Sequence, residues 1–128
     1  MFDISRNGII TMSRGDTWET EIFVNLGTEL LPWGYDLQEG EYLYFGVMEP
    51  NQPFEIALIR KRIDMNDKGD GQGYYKIRFE SKDTIALLPG NYYYEVKLQH
   101  FKKDASTGEI LGTDVDTIIP RTKFVIYE

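Results

Sequence analysis

The sequence contains no cysteine, and this absence excludes several kinds of chemistry at once. A chain without thiols has no disulfides, no thiolate nucleophile and no cysteine-ligated zinc. Histidine is scarce as well, because His100 is the only one in the chain. A single histidine has no second imidazole with which to form a metal set, and could act alone only as an acid-base group. The fold must therefore be stabilised by packing and hydrogen bonds.

Long apolar runs and an excess of basic residues are also missing. Nowhere do about eighteen apolar residues follow one another, and Met1–Arg6 contains no basic segment leading into an apolar run. We therefore expect neither a membrane span nor a recognisable secretion signal. Fourteen Lys and Arg stand against twenty-one Asp and Glu, a formal net charge of −7. Nucleic acid is a poor partner for such a chain, since phosphate binding needs a basic surface.

What the sequence does contain fits one β-rich domain spanning residues 1–128. A chain of 128 residues buries roughly two-thirds of its unfolded surface and can fold without cross-links. The aromatic share is 14%, with nine Tyr and seven Phe, and these residues favour strands.

The strongest local pattern is a turn followed by an alternating strand in Asp83–Leu98. Pro89 and Gly90 supply the fixed and the free backbone angles of a tight turn. From there apolar or aromatic side chains alternate with polar ones, as in a strand with one buried face. The residues predicted to be structural here are Leu88, Pro89, Gly90, Tyr92, Tyr94 and Val96. A Tyr after such a turn also resembles the tyrosine corner of immunoglobulin-like sandwiches; counting predicts Tyr93, whereas the alternation places Tyr92 and Tyr94 in the core.

The remaining segments predict about seven or eight short strands joined by turns. Two strands, 9–13 and 18–24, are expected to form a hairpin around Gly15-Asp16. Residues 29–40 are a loop that folds Trp33 and Tyr35 onto the edge of the core, and 54–63 is read as a strand rather than a helix. Further strands are expected at 41–48, 74–80, 115–119 and 122–128, with a turn at residues 120–121. This pattern is typical of an antiparallel β-sandwich.

Several motifs suggest chemistry but have a simpler structural interpretation. Arg14-Gly-Asp16 spells an integrin-binding tripeptide, although a turn between strands produces the same letters. The acidic, glycine-rich loop at 64–73 resembles a calcium loop, but its register does not match the EF-hand spacing, and its glycines are not followed by the helix that a phosphate loop needs. His100, lying on a strand, is interpreted as a surface or packed residue. The sequence therefore assigns no catalytic residue, no cofactor and no metal site.

An ordered set of short motifs resembles a family of phage proteins. The motifs are Arg14-Gly-Asp-Thr17, Asp83-Thr84, Leu88-Pro-Gly-x-Tyr-x-Tyr-x-Val96, Asp116-Thr117-Ile118 and Lys123-Phe-x-Ile126. In this order they resemble the immunoglobulin-like N-terminal domain of phage baseplate upper proteins and small related phage and prophage virion proteins. The resemblance implies an immunoglobulin-like β-sandwich in a tail, baseplate or head assembly, without cofactor or catalysis. It also implies a virion location after synthesis in the bacterial cytoplasm, with other virion proteins or further copies as partners.

Two functions of different kinds follow. The first is a structural, non-enzymatic virion protein that acts through protein–protein contacts, with the terminal strands Ile9–Ser13 and Thr122–Tyr127 as the expected contact edges. The alternative is a carbohydrate-binding module that stacks sugars on Trp33 and Tyr35 of the long loop.

Overall fold

The structure is a computed structural model that describes residues 8–24 and 34–128, together with the backbone of residues 3–4. The expectation of an all-β fold is confirmed. The strands are β1 (Asp3–Ile4), β2 (Ile10–Ser13), β3 (Trp18–Phe23), β4 (Tyr42–Met48), β5 (Ile59–Ile63), β6 (Tyr74–Phe79), β7 (Gly90–Lys103) and β8 (Ile110–Tyr127). Short 3-10 helices cover Phe54–Ile56 and Met65–Asp67, and α1 covers Ser81–Thr84.

The strands form one large and one small sheet. The larger sheet has six strands in the order β1-β2-β8-β7-β4-β5, and the smaller sheet consists of β3 and β6. All neighbouring strands are antiparallel except β2 and β8, which run parallel with Ile10 opposite Phe124. The prediction of a purely antiparallel arrangement is therefore wrong for this pair. None of the helices in the described ranges has the length and apolar character needed to cross a bilayer.

The predicted hairpin of residues 9–24 does not form. The Arg14-Gly15 turn is present, with Gly15 at a φ of +83°, but it carries the chain from β2 in the larger sheet to β3 in the smaller one. The Gly15 N–H donates to the Thr84 hydroxyl at 2.8 Å, which fixes the turn against α1. Turn-forming residues in a sequence predict that the chain changes direction, but they do not predict which sheet the next strand joins.

The core lies between the two sheets and is built by alternating side chains. On β7, Tyr92, Tyr94, Val96 and Leu98 are 8%, 3%, 0% and 0% exposed, which confirms the alternation predicted from the sequence. On β6, Tyr75, Ile77 and Phe79 are buried in the same way. Phe45 of β4 joins the sheets through ring contacts at centroid distances of 5.4 Å to Tyr94 and 5.5 Å to Phe79.

Two predicted boundaries differ from the structure. The segment 54–63 begins with the 3-10 helix Phe54–Ile56 and becomes a strand only at Ile59. The turn expected at residues 120–121 is absent, because β8 continues through Pro120 with shifts in register opposite β7 between Tyr94 and Lys97. Neither Pro120 nor Arg121 has an opposite residue on β7, so the missing proline N–H costs no ladder hydrogen bond. This irregular stretch is a β-bulge.

Candidate functional site: the projecting hairpin and the open sheet edges

The hairpin of β7 and β8 extends past its neighbour. β4 pairs with β7 only from Tyr93 to Gln99, whereas β7 and β8 remain paired from Gly90 as far as Lys103 and Ile110. Residues 100–114, which we call the arm, therefore have strand pairing only within the hairpin. Nearly all side chains from residue 102 to residue 117 are exposed. The arm is therefore a two-stranded ribbon whose side chains are mostly exposed to solvent.

The tip of the arm is held by Asp104. Its main chain is bonded to Glu109 and Gly108, and its Oδ1 accepts hydrogen bonds from the Ser106 N–H at 2.8 Å and the Ser106 hydroxyl at 2.6 Å. These hydrogen bonds to the carboxylate lower the pKa of Asp104. The ends of the two strands are thus joined by an ordered turn.

Apolar side chains on the first half of β8 face water. Ile110, Leu111 and Val115 are 54%, 58% and 61% exposed, and they lie within six residues of one another. Exposed apolar residues are ordinary when scattered singly, but a group of them on one strand indicates a contact surface.

The same half of β8 has an open edge. β2 pairs with β8 only between Phe124 and Tyr127, and within the described ranges β7 is the only strand that pairs with residues 110–119. We call residues 110–119 the β8 free edge. Main-chain N–H and C=O groups on such an edge are available to a strand from another chain.

The second open edge belongs to β5, at the opposite side of the larger sheet. β5 pairs with β4 from Ile59 to Ile63, and in the described part of the chain no strand pairs with its other side. Its sequence is Ile-Arg-Lys-Arg-Ile, so three adjacent cations occupy this edge in a chain whose net charge is −7. Lys61 is bound to Asp83 of α1 at 2.6 Å, whereas Arg62 lies over the Tyr42 ring at 4.8 Å.

A groove of about 460 Å³ follows β5. Gly46 of β4 and Phe54 both line it, and the Phe54 ring packs over Gly46, where a Cβ would lie 2.7 Å from Phe54 Cε2. Arg60 forms part of the wall and donates hydrogen bonds to the carbonyls of Ala57 and Glu55. The absence of a side chain at Gly46 therefore allows the Phe54 ring to pack closely on β4.

A buried carboxylate connects the base of the arm to the body of the domain. Glu41 is 1% exposed and accepts three hydrogen bonds: from the Tyr35 hydroxyl at 2.6 Å, the Gln38 N–H at 2.7 Å and the Phe101 N–H at 2.8 Å. Burial, followed by the hydrogen bond to Glu41, raises the pKa of Tyr35. Because its oxygens are occupied by protein donors, Glu41 anchors the arm to the loop before β4.

His100 continues this polar cluster. Its Nε2 lies 2.6 Å from Asp116 Oδ2, and its ring makes an edge contact with Tyr35 at a centroid distance of 6.2 Å. The His100 side chain is 16% exposed, in line with its interpretation as a packed residue. The pair links β7 to β8 across the base of the arm.

The predicted structural tyrosines have distinct partners. The Tyr92 hydroxyl donates to the Leu88 carbonyl at 2.6 Å, and the Tyr94 hydroxyl donates to the Gly8 carbonyl. Tyr92 thus makes the return contact of a tyrosine corner, which counting along the sequence had assigned to Tyr93. Leu88 and Pro89, just before β7, and Gly90, its first residue, are all exposed.

The residues predicted to stack on sugars fall in two different situations. Trp33 lies outside the described residues. Tyr35 is half-buried, packs against the core cluster and donates its hydroxyl to Glu41. Its ring is therefore part of the packing at the base of the arm.

The loop at 64–73 uses its acidic residues for local capping. Asp64 accepts from the Asn66 N–H at 2.8 Å, and Asp67 accepts from the Asp64 N–H at 2.9 Å, which closes a capping box around Met65–Asp67. No group of three potential metal ligands occurs among the residues that the structure describes. Gly73 packs its backbone against Gly34, where a Cβ would lie 2.4 Å from the Gly34 Cα. This close backbone contact explains why residue 73 is a glycine, and no bound anion is needed to explain it.

No protein-family model matches the sequence, and neither a curated protein nor a solved structure is significantly similar to it.

Proposed function

We propose that this chain is a structural, non-enzymatic component of a phage or prophage virion and that it acts through protein–protein contacts. The observation that carries the proposal is the β8 free edge, a strand of ten residues with an open main chain and exposed Ile110, Leu111 and Val115. Such an edge pairs readily with a strand of another protein. The virion setting rests on the sequence motifs that resemble baseplate proteins.

The same proposal includes an immunoglobulin-like sandwich. Two features support it: two sheets share one core, and Tyr92 returns its hydroxyl to the Leu88 carbonyl as in a tyrosine corner. In this arrangement the body of the domain is a rigid support, and Glu41 fixes the arm to it.

Proteomic analysis of purified particles tests this function. Particles induced from a strain that carries the gene should contain the chain in many copies, in proportion to the major capsid and tail proteins, after density-gradient purification. Abundant cytoplasmic proteins of the host provide the control for carry-over. Particles that are complete and infectious but lack the chain would overturn the proposal.

A further inference from the structure

β5 and the β8 free edge, two open edges in the described part of the larger sheet, carry opposite charges. β5 contains Arg60, Lys61 and Arg62 and no acidic residue. The β8 free edge contains Asp114 and Asp116 and no basic residue. The main chain of both segments is open on the outer side, since in the described ranges β5 pairs only with β4 and residues 110–119 pair only with β7.

The spacing of these charges is the same on both strands. Arg60 and Arg62 are two residues apart and both exposed, so they lie on one face of β5. Asp114 and Asp116 are also two residues apart and exposed, on one face of β8. Side chains directly opposite each other on paired strands have Cβ atoms about 5 Å apart, which is within reach of an ion pair.

We propose that the β8 free edge of one copy of this chain pairs in parallel with β5 of a second copy, with Asp114 and Asp116 beside Arg60 and Arg62. The pairing is parallel because the registers place the aspartates on the core-side face of their sheet and the arginines on the outer face of theirs. The pairing extends the larger sheet from one molecule into the next. Val115, between the two aspartates, points to the other face and packs beside the aliphatic part of Lys61. This inference rests on the proposed function, since it names the partner of the edge on which that function depends.

Charge favours this pairing over the symmetric ones. Two β8 free edges placed together would bring the aspartates of one copy near those of the other, and two β5 strands would bring arginines together. Like charges directly opposite on paired strands are destabilising. Only the contact between unlike edges pairs acid with base, and it leaves a β5 edge open at one end and a β8 edge open at the other. Contacts of this kind build a closed ring or a filament.

Self-association measured by analytical ultracentrifugation tests the inference. The unaltered chain should form species larger than a monomer as its concentration rises. The double variant Arg60→Glu/Arg62→Glu replaces attraction by repulsion at two positions, so its self-association should be weaker by about tenfold or more. The double variant Asp114→Lys/Asp116→Lys should be weakened in the same way.

Mixing the two variants gives the decisive measurement. Each variant alone places like charges at the contact, whereas an equimolar mixture places a basic edge beside an acidic one again. The mixture should therefore associate at concentrations at which each variant alone is monomeric. Hydrogen exchange should show the protection that appears on association at residues 59–63 and 110–119.

A matched control separates this effect from net charge. Lys76→Glu/Lys123→Glu lowers the formal charge of −7 by four, as the arginine variant does, but alters exposed residues on β6 and on the second half of β8. It should associate like the unaltered chain, and circular dichroism should show that all variants are folded.

Three outcomes would overturn the inference: a strictly monomeric unaltered chain, a control variant weakened as much as the arginine variant, or a mixture that stays monomeric. A monomeric chain that is nevertheless present in purified particles would remove this pairing and leave the proposed function standing. A chain that associates as described but is absent from particles would do the reverse.

Discussion

Tyr92 and Tyr93 are adjacent in sequence but differ in their surroundings. Tyr92 is 8% exposed and its hydroxyl is bonded to the Leu88 carbonyl, whereas Tyr93 is half-buried on the other face of β7. The hydrogen bond joins the turn before β7 to the strand itself. Tyr92, and not its neighbour, therefore fixes the entry into the longest hairpin of the molecule.

Replacing Tyr92 by Phe removes this hydrogen bond and keeps the ring. We expect the free energy of unfolding to fall by about 1 kcal/mol, because the Leu88 carbonyl loses the hydroxyl that donates to it. Urea denaturation followed by circular dichroism measures the change. Tyr93→Phe is the matched control and should stay within about 0.5 kcal/mol of the unaltered protein; a larger loss for Tyr93→Phe would make Tyr93 the corner residue.

Glu41 provides a second test at this scale. Glu41→Ala leaves the Gln38 and Phe101 N–H groups without their acceptor, and we expect a loss of about 1 to 3 kcal/mol in the free energy of unfolding. Thermal denaturation is a sufficient measurement. Glu39→Ala, two residues away and exposed, is the control and should be nearly neutral. Equal effects of the two substitutions would contradict the anchoring role of Glu41.

The pKa of Tyr35 predicts how stability depends on alkaline pH. Burial, followed by the hydrogen bond to Glu41, raises it above the ordinary value of 10.0, and burial also raises the pKa values of Tyr75 and Tyr94. Above pH of about 10 the unfolded chain loses phenolic protons that the folded protein retains, so stability is complete below that pH and falls as the pH rises.

The variant Tyr35→Phe isolates this contribution. It should reduce the slope of the unfolding free energy against pH above about 10 and leave the slope at neutral pH unchanged. Urea titrations at a series of alkaline pH values measure both slopes. Identical alkaline slopes for the variant and the unaltered protein would show that Tyr35 does not supply the effect.

At the scale of elements, Gly46 sets how closely the Phe54–Ile56 helix lies on β4. A Cβ at Gly46 would stand 2.7 Å from Phe54 Cε2 and 3.1 Å from the Ala57 Cβ. Gly46→Ala should therefore displace this helix and lower stability by about 1 to 3 kcal/mol, which thermal unfolding can measure. Gly112→Ala is the control, because nothing lies within 4 Å of a Cβ there. If the two substitutions had equal effects, the packing at Gly46 would not be limiting.

The sequence predicted elements well where alternation was strong and poorly where a turn had to be assigned to a sheet. β6 and β7 alternate regularly; both were predicted as strands, and Tyr92 and Tyr94 of β7 were correctly placed in the core. The Arg14-Gly15 turn was assigned to a hairpin because both flanking segments read as strands, yet β2 and β3 pair with partners far away in sequence. Pairing between distant strands depends on packing across the whole core, which local patterns do not encode.

The open strand edges were also predicted incorrectly, because they depend on how distant strands pair. The terminal strands 9–13 and 122–127 were expected to be open, but β2 pairs with residues 124–127 of β8 within the same sheet. The edge that remains open is the first half of β8, in which a strand was predicted only from residue 115 to residue 119. This edge is open because β2 pairs with β8 only from Phe124 to Tyr127, and no local sequence pattern indicates how far such a pairing extends.

For the molecule as a whole, the body should unfold cooperatively and the arm should open locally. Residues of both sheets share one core cluster, whereas residues 102–103 and 110–114 are exposed and pair only within the β7–β8 hairpin. In hydrogen exchange under native conditions, amides of these arm residues should exchange faster than those of residues 92–98. The exchange should be measured at concentrations at which the protein is monomeric, because the proposed contact between copies would protect residues 110–119. Uniform protection along β7 would contradict it.

The lengths of the two open edges differ, and this difference has a consequence for alignment. β5 has five residues, whereas the β8 free edge has ten. A docked strand could slide in steps of two residues and keep the same face toward its partner. Hydrogen bonds of the main chain do not distinguish these positions, but Asp114 and Asp116 occur only once along the edge. The two aspartates thus act as a positional mark: in their absence successive copies would join at variable offsets, and the resulting assembly would have no constant repeat.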